Sequence, residues 1–307
     1  MAPPAQQSPL PDVYSSAFFM LEIDGSKVGT IRNLDGGGIK ADVLTYQHGE
    51  AGHTWRQLGR TKYEEFKITS GLVAGEALWK WIDLCMKGTP ERRNGALCAG
   101  DYEYIEKARR EFTDGLISEV SFPKFDAHDK NAANVTVSVS PEKMTYAKGS
   151  GSKMPVADPA SEKQKSVSSC NFTFVLQGFE GACKRVNKVD SFNVKCKIIE
   201  HQVSTRIENV KVPGKIELSN ITFYLPEVDA KPLLDHHSKA AMKGNRAAPI
   251  PSATLTFHNN ARSARGSVTF KECTIFSVTH DKQDATSEDI RMVKVEMAIE
   301  GIEFKVG

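Results

Sequence analysis

The chain has 307 residues, of which 25% are charged and 40% hydrophobic, and its formal net charge is +2. This length accommodates two domains of ordinary size, each with its own core. The nearly balanced charge gives no electrostatic reason to expect a binder of nucleic acid or of acidic membranes, and no apolar run approaches the roughly 20 residues of a membrane-spanning helix.

Two stretches of biased composition divide the chain. The N-terminus, MAPPAQQSPLPD, is rich in proline and polar residues and lacks the basic start and apolar middle of a secretory signal. Residues 148–168 are rich in Gly, Ser, Pro and Lys, as is typical of a linker. We therefore predict a flexible arm at 1–15, a domain at 16–148, a linker at 149–168 and a second domain at 169–307.

In chain order, the first domain begins with strand-like stretches, FFMLEIDGSKVG at 18–29 and IKADVLTYQ at 39–47. A charged connection leads into another strand-like stretch, TKYEEFKIT at 61–69, and then into a helical segment. Trp79 and Trp81 belong to one broad apolar stripe of that helix. Such a stripe indicates a core or subunit contact rather than a platform for stacking bases.

The second half repeats this order of elements. FTFVLQGFEGAC corresponds to the opening stretch, FNVKCKIIEHQ to the next strand, and GKIELSNIT to TKYEEFKIT, which aligns Thr222 with Thr69. Each predicted helix ends in Lys-Gly, at Gly88 and Gly244, where glycine can adopt the left-handed conformation that stops a helix. We therefore predict two tandem copies of one mainly β domain carrying a single helix.

The closing strands of both halves alternate apolar and polar residues. In the second half, Val293, Val295 and Met297 alternate with Lys294 and Glu296. A period of two indicates a strand with one buried face and one wet face. The first half has the same rhythm in NVTVSVS, which begins at residue 134.

No catalytic, cofactor or metal site is predicted. The run GGGIK at 36–40 lacks the spacing of a phosphate-binding loop and precedes a strand, so it is interpreted as a turn between strands. His48 and His53 are separated by a spacing that does not suit one helix face, and the region is expected to be a loop. The six cysteines have no CxxC spacing, and no GxSxG elbow occurs. A soluble enzyme on a duplicated β-barrel is therefore the weakest of the functional alternatives considered.

Residues 18–146 resemble the tail tube protein family of contractile phages and the related contractile injection systems. The resemblance is carried by the stretch from FFMLEIDG to TYQHGE, the LGRTKY turn at 58–63 that leads into EEFKITSGL, the LWKWID helix at 78–83, and ERRNGAL at 91–97. The second half is similar in layout and in VPGKIELSNITF, but it lacks the tryptophan pair and the ERRNG stretch.

The resemblance implies a β-sandwich or partial barrel with one flanking helix in each copy. In the family, six such domains form a ring whose strands join across subunits around a channel, and a long connection between early strands reaches the neighbouring ring. That connection here is residues 47–63. The residues expected at subunit or ring contacts are His48, His53, Trp55, Arg56, Arg60, Lys62, Tyr63, Trp79 and Trp81.

A wide barrel around a watery channel needs a polar inner face. The polar positions of the closing strands and their ends are the predicted lumen residues: Thr136, Ser138, Lys294, Glu296 and Glu300. Two domains per chain imply either three chains in a pseudo-six-fold ring or a hexameric ring decorated by the second domain.

The resemblance implies a structural protein that forms the inner tube of a contractile tail or injection system and conducts DNA or protein cargo. The expected partners are copies of the chain itself, a sheath protein, baseplate and tail-terminator proteins, and the cargo. The alternative is a tube initiator or a baseplate or terminator adaptor with two tube-like domains. The expected location is a virion tail or an injection-system particle, assembled in the bacterial cytoplasm.

Overall fold

The computed structural model describes residues 18–47, 54–72, 75–155, 167–204, 208–242, 250–280 and 290–306. The strands of the first half are β1 (Phe18–Ile23), β2 (Ser26–Ile31), β3 (Asn33–Gly36), β4 (Ile39–Gln47), β5 (Thr54–Tyr63), β6 (Phe66–Gly71), β7 (Arg93–Gly100), β8 (Glu106–Phe122), β9 (Phe125–Asp126), β10 (Asn134–Ser140) and β11 (Lys143–Lys148).

The strands of the second half are β12 (Val167–Leu176), β13 (Lys188–Val189), β14 (Phe192–His201), β15 (Val210–Leu218), β16 (Ile221–Pro226), β17 (Ile250–Asn259), β18 (Ala264–His280), β19 (Met292–Ala298) and β20 (Gly301–Val306). The helices within the described residues are α1 (Glu76–Met86), α2 (Glu180–Cys183) and α3 (Glu227–Met242). The predicted mainly β class is confirmed.

Neighbouring strands pair antiparallel in two large sheets and one small one. The first large sheet has the order β2-β1-β7-β8-β10-β6-β3, with β11 and β14 also paired to β8, and β15 paired to β14. The second has the order β12-β17-β18-β19-β16-β13-β9, with β20 on β18. Strands β4 and β5 pair only with each other.

The two halves share strands and one core. Strand β14 of the second half extends the first sheet through β8, and β9 of the first half extends the second sheet through β13. Trp79 on α1 stacks on Phe304 of β20, with ring centroids 4.0 Å apart. The halves are therefore joined by backbone pairing and by a common apolar core, rather than being two bodies with separate cores.

Strand pairing sets the register of the internal repeat. The register between β10 and β8 shifts after Ser138, and that between β19 and β18 shifts after Glu296, so Thr136 corresponds to Lys294. Thr69 lies opposite Thr136, and Tyr224 lies opposite Lys294. The partner of Thr69 in the repeat is thus Tyr224, 155 positions later (224 − 69), and not Thr222 as the sequence alignment predicts. The matching Ile-Thr pairs misled that alignment, because register is fixed by which residues face each other across the ladder. We call residues in equivalent pairing positions counterparts.

The sequence prediction differs from the structure at the start of the second half. Residues 180–183, at the end of the stretch FTFVLQGFEGAC that the repeat matches to the opening of the first half, form the short helix α2. The first part of the predicted linker is bound to the first half, since Met154 is buried and its N–H donates to the carbonyl of Tyr104 at 2.7 Å. Val167 already belongs to β12. The predicted arm at 1–15 and residues 156–166 lie outside the described residues.

The predicted turns and alternation agree with the structure where they are described. Gly36 and Gly37 have φ values of 79° and 76° and connect β3 to β4. A Cβ at Gly36 would collide with the carbonyl oxygen of Glu65, so glycine is required there. Gly88, with φ 84°, follows the end of α1, whereas Gly244 lies outside the described residues. The valines of β10 are buried, as are Val293, Val295 and Met297 of β19.

Candidate assembly surface

The hairpin of β14 and β15, which we call the docked hairpin, adds to the edge of β8. Val194 lies opposite Val120 and both side chains are buried. Next to them Lys195 lies opposite Glu119, with 3.6 Å between Nζ and Oε1. The amide of Asn193 also donates to Glu119 Oε1, at 2.6 Å. Backbone pairing, apolar burial and charge therefore all hold this hairpin on the first half.

A buried lysine anchors the far strand of the docked hairpin. Lys211 is 4% exposed, and its Nζ donates to Ser140 Oγ at 2.9 Å and to the carbonyl oxygen of Tyr63 at 3.3 Å. Its backbone N–H donates to Glu142 Oε1 at 2.8 Å. Arg92 donates to the Lys211 carbonyl oxygen at 2.6 Å and lies 3.4 Å from Glu142. We call these five residues the anchor cluster.

Burial lowers the pKa of Lys211, while the carboxylates of Glu200, Glu65 and Glu142 act in the opposite direction. A cavity of about 470 Å³ adjoins this lysine. It is lined by Gly36, Tyr63, Glu64, Glu65, Ser140, Ile198, Glu200 and Lys211. Because the ammonium group already donates to protein oxygens, the arrangement is one for holding two chain segments together.

The hairpin of β4 and β5, which we call the free hairpin, has the same construction as the docked one. Each hairpin has a bulge at the corresponding place, between Ala41 and Val43 in one and between Cys196 and Ile198 in the other. The pairing makes Ile39 the counterpart of Val194, yet Ile39 is 44% exposed and Val194 only 1%. The free hairpin has no other strand beside it within the described residues.

The free hairpin also exposes an unusual number of large apolar side chains. Its exposed apolar residues are Ile39, Val43, Leu44, Tyr46, Trp55 and Leu58. Exposed apolar side chains concentrated in one hairpin indicate a contact with another macromolecule. The free hairpin is therefore a candidate assembly surface.

A second candidate surface lies at the end of β18. In the first half, residues 119–122 of β8 pair with β14 on one side, and residues 119–121 also pair with β10 on the other. Their counterparts, Ser277–His280, pair with β19 on one side and, among the described residues, with nothing on the other. We call Ser277–His280 the open edge. Unpaired strand edges of this kind recruit further strands.

The predicted contact residues of the 47–63 connection lie on a strand rather than in a loop. Trp55, Arg56, Arg60 and Lys62 are exposed on β5, and Lys62 forms an ion pair with a carboxylate of β4. Tyr63 is half-buried, and its carbonyl oxygen accepts the hydrogen bond from the anchor cluster. His48 and His53 lie outside the described residues.

Trp79 and Trp81 do not lie on a subunit surface. They are 2% and 1% exposed, and the Trp81 Nε1–H donates to the carbonyl oxygen of Glu91 at 2.8 Å. Of the two alternatives left by the sequence, core or subunit contact, the structure shows the core. The stripe on α1 is covered by the chain's own strands, Phe304 of β20 among them.

The predicted lumen residues divide into two groups. Thr136, Lys294 and Glu296 are half-buried on the polar faces of β10 and β19, where Lys294 Nζ lies 2.7 Å from Glu296 Oε1. Ser138 is buried, contrary to a lumen-facing position. Glu300 is exposed but lies in the turn after β19, outside the strand face. Strands β10 and β19 therefore each have a polar face, but Ser138 and Glu300 do not lie on it as predicted.

The sequence interpretation missed the anchor cluster and the open edge. Lys211, Glu142 and Arg92 have no distinctive spacing, because they come from three separate parts of the chain and meet only in the fold. The one available signal is the internal repeat, since Glu142 and Glu300 follow the closing strands of the two halves at equivalent positions. That signal can be used only when the two halves are aligned in the correct register.

No helix in the described ranges combines the length and apolar character needed to cross a membrane. A family model described as T4-like virus tail tube protein gp19 matches residues 15–145. No curated protein sequence matches the chain.

Three similar solved structures differ widely in sequence from this chain. The tube terminating cap of the anti-feeding prophage is 16% identical with a TM-score of 0.42, covering 48% of this chain and 100% of that one. The sheath-tube complex in the extended state from PVC, an extracellular contractile injection system, is 14% identical with a TM-score of 0.40. The match covers 44% of this chain and 92% of that one. Hcp1 from Flavobacterium johnsoniae is 16% identical with a TM-score of 0.29, and the match covers 43% of this chain and 96% of that one.

Proposed function

The family model for T4-like virus tail tube proteins matches residues 15–145, and on this basis we propose that the chain is a structural protein of an inner tail tube. The chain forms rings that stack into a hollow tube of a phage tail or a contractile injection system. The family is one of structural tube proteins, and the role proposed is mechanical: enclosing a channel through which DNA or protein cargo passes.

The observation that carries this proposal is the pairing of β14 with β8, which continues the sheet of one half into the other half of the same chain. A ring needs the same join between chains. The free hairpin and the open edge supply the two complementary sides of that join. Each chain then contributes two adjacent wall segments, and three chains complete a pseudo-six-fold ring.

This arrangement favours the three-chain ring over a hexameric ring decorated by the second half. A decorating domain would need its own complete sheet and core, whereas here the docked hairpin of the second half is part of the first sheet. The polar faces carrying Thr136 and Lys294 would line the channel. On the second of these faces, Lys294 and Glu296 form an ion pair, so their charges offset each other.

The proposed partners follow from a tube's place in such a particle. A sheath protein surrounds the tube, baseplate and terminator proteins contact its ends, and the cargo occupies the lumen. The proposed site of assembly is the bacterial cytoplasm.

Negative-stain electron microscopy and mass photometry of the purified full chain test the proposal. We expect rings of three chains with pseudo-six-fold outlines, and open-ended stacks of rings at higher concentration. Single rings that cap tubes and never stack would replace the tube by a terminator or initiator adaptor. A chain that remains monomeric at concentrations of tens of micromolar would refute the proposed function.

A further inference from the structure

We propose that the free hairpin of one chain docks on the open edge of a second copy, and that an ion pair between Arg56 and Glu300 of the second copy secures it. This inference rests on the proposed function and adds the partner surface, the register and the specificity-determining residues. It is drawn from the docked hairpin, which displays the same join inside one chain.

The register follows from the internal repeat. Within the chain, Asn193 pairs with Ser121 and Val194 with Val120. The counterparts of these four residues are Gly38, Thr279, Ile39 and Val278. Between copies, Ile39 therefore lies opposite Val278. That pairing buries the exposed Ile39 side chain as Val194 is buried within the chain.

The ion pair follows from the anchor cluster. Lys211 pairs across its hairpin with Glu200, and its counterpart in the free hairpin is Arg56. The anchor carboxylate Glu142 has Glu300 as its counterpart. The equivalence is visible in the backbone, because the N–H groups of Glu142 and Glu300 donate to the carbonyl oxygens of matched β8 and β18 residues, each at 3.1 Å.

The two anchors differ in chemistry, and the difference is complementary. The hydroxyl of Ser140 that receives Lys211 Nζ is replaced in the second half by Ala298, which offers no side-chain oxygen. An arginine at position 56 suits that site, because its guanidinium can bind the Glu300 carboxylate with two parallel hydrogen bonds. Arg56 and Glu300 are both exposed in the single chain, so each is accessible to a second copy.

A third pair of counterparts supports the same surface. Phe304 of β20 pairs with Val268 of β18, and the equivalent pair in the first half is Tyr146 with Arg110. Phe304 is 6% exposed because the other half of the chain covers it, whereas Tyr146 is 61% exposed. In the ring, the second half of a neighbouring chain covers Tyr146.

The resulting contact is heterologous, because different surfaces of the two copies meet. Such contacts close into rings when the rotation between copies permits and otherwise form open filaments. Contact of a first half with a second half is favoured over contact between two first halves, because the β8 edge is already occupied by the docked hairpin. Halves therefore alternate around the ring.

Charge reversal tests the ion pair. We compare the wild-type chain, Arg56→Glu, Glu300→Arg and the double variant by mass photometry over a concentration series at low ionic strength. Each single variant is expected to raise the concentration at which half the chains are in rings by about 30-fold or more, and the double variant is expected to restore most of the loss. Lys184→Glu is the charge-reversal control, because Lys184 is exposed and lies on neither the free hairpin nor the open edge.

Two outcomes overturn the inference while leaving the proposed function in place: single variants that form rings like the wild type, or a double variant that assembles no better than the singles. A wild-type chain that forms no rings refutes the proposed function itself.

A cysteine pair provides an independent test of the register. The variant carrying Ile39→Cys and Val278→Cys is expected to give disulfide-linked dimers and trimers when its rings are oxidised, and each single-cysteine variant is the control. Rings that form without any increase in cross-linked product over those controls would contradict the proposed register.

Discussion

The docked and free hairpins have the same local structure but lie in two different environments. Both have a bulge that brings a glycine, Gly59 or Gly214, close to the facing backbone carbonyl. One of them buries Val194, and the other exposes Ile39. This difference shows that a hairpin of this kind buries its apolar residue only when a third strand lies beside it. Among the described residues, the chain supplies such a strand to one of the two hairpins.

The largest expected contrast comes from placing a charge at the matched apolar positions. Val194→Asp buries an unpaired carboxylate between the two halves, and we expect it to lower the free energy of unfolding by about 4 kcal/mol. Ile39→Asp leaves the carboxylate in water in the single chain, so the expected change is within about 0.5 kcal/mol. Urea denaturation followed by circular dichroism, at concentrations where the chain is monomeric, measures both.

The same pair of variants separates stability from assembly. Ile39→Asp should prevent ring formation although it folds normally. Equal losses of stability in the two variants would contradict the comparison, because they would mean that the free hairpin is already covered within one chain.

A smaller contrast is expected at the aromatic counterparts. Phe304→Ala removes the ring that stacks on Trp79 and should lower the free energy of unfolding by about 3 kcal/mol. Tyr146→Ala removes a mostly exposed ring and should cost less than about 1 kcal/mol. Thermal denaturation of both variants at low concentration gives the ratio of the two losses. A comparable loss for Tyr146→Ala would show that its ring is packed within the single chain.

The smallest effect concerns pH. Burial lowers the pKa of Lys211, so between that value and the ordinary 10.5 the unfolded chain binds more protons than the folded chain. The free energy of unfolding should therefore increase as the pH rises through that range. The measurement is the difference in pH dependence between the wild type and Lys211→Met.

Arg56→Met is the matched comparison for that experiment. Arg56 is exposed, so the pH dependence of this variant should follow the wild type. A Lys211→Met variant whose pH dependence is also unchanged would show that the buried amine does not titrate in the folded chain.

Sequence reasoning succeeded where local pattern decides the structure. The alternation of Val135, Val137 and Val139 placed one face of β10 inside, and the tryptophan stripe located α1. It failed where pattern and register disagree: the shared Ile-Thr pair suggested Thr222 as the partner of Thr69, and only the ladder identifies Tyr224.

The sequence by itself determined that the chain is mainly β, that it repeats one order of elements, and that its first half resembles tail tube proteins, because these depend on spacing along the chain. The tertiary structure alone decided that β14 crosses to the first half, that Lys211 is buried there, and that Arg56 remains in water. The physical reason is that pairing between distant strands depends on which edges meet in space, and two hairpins of nearly identical construction cannot reveal from their own residues which one finds an edge within the chain.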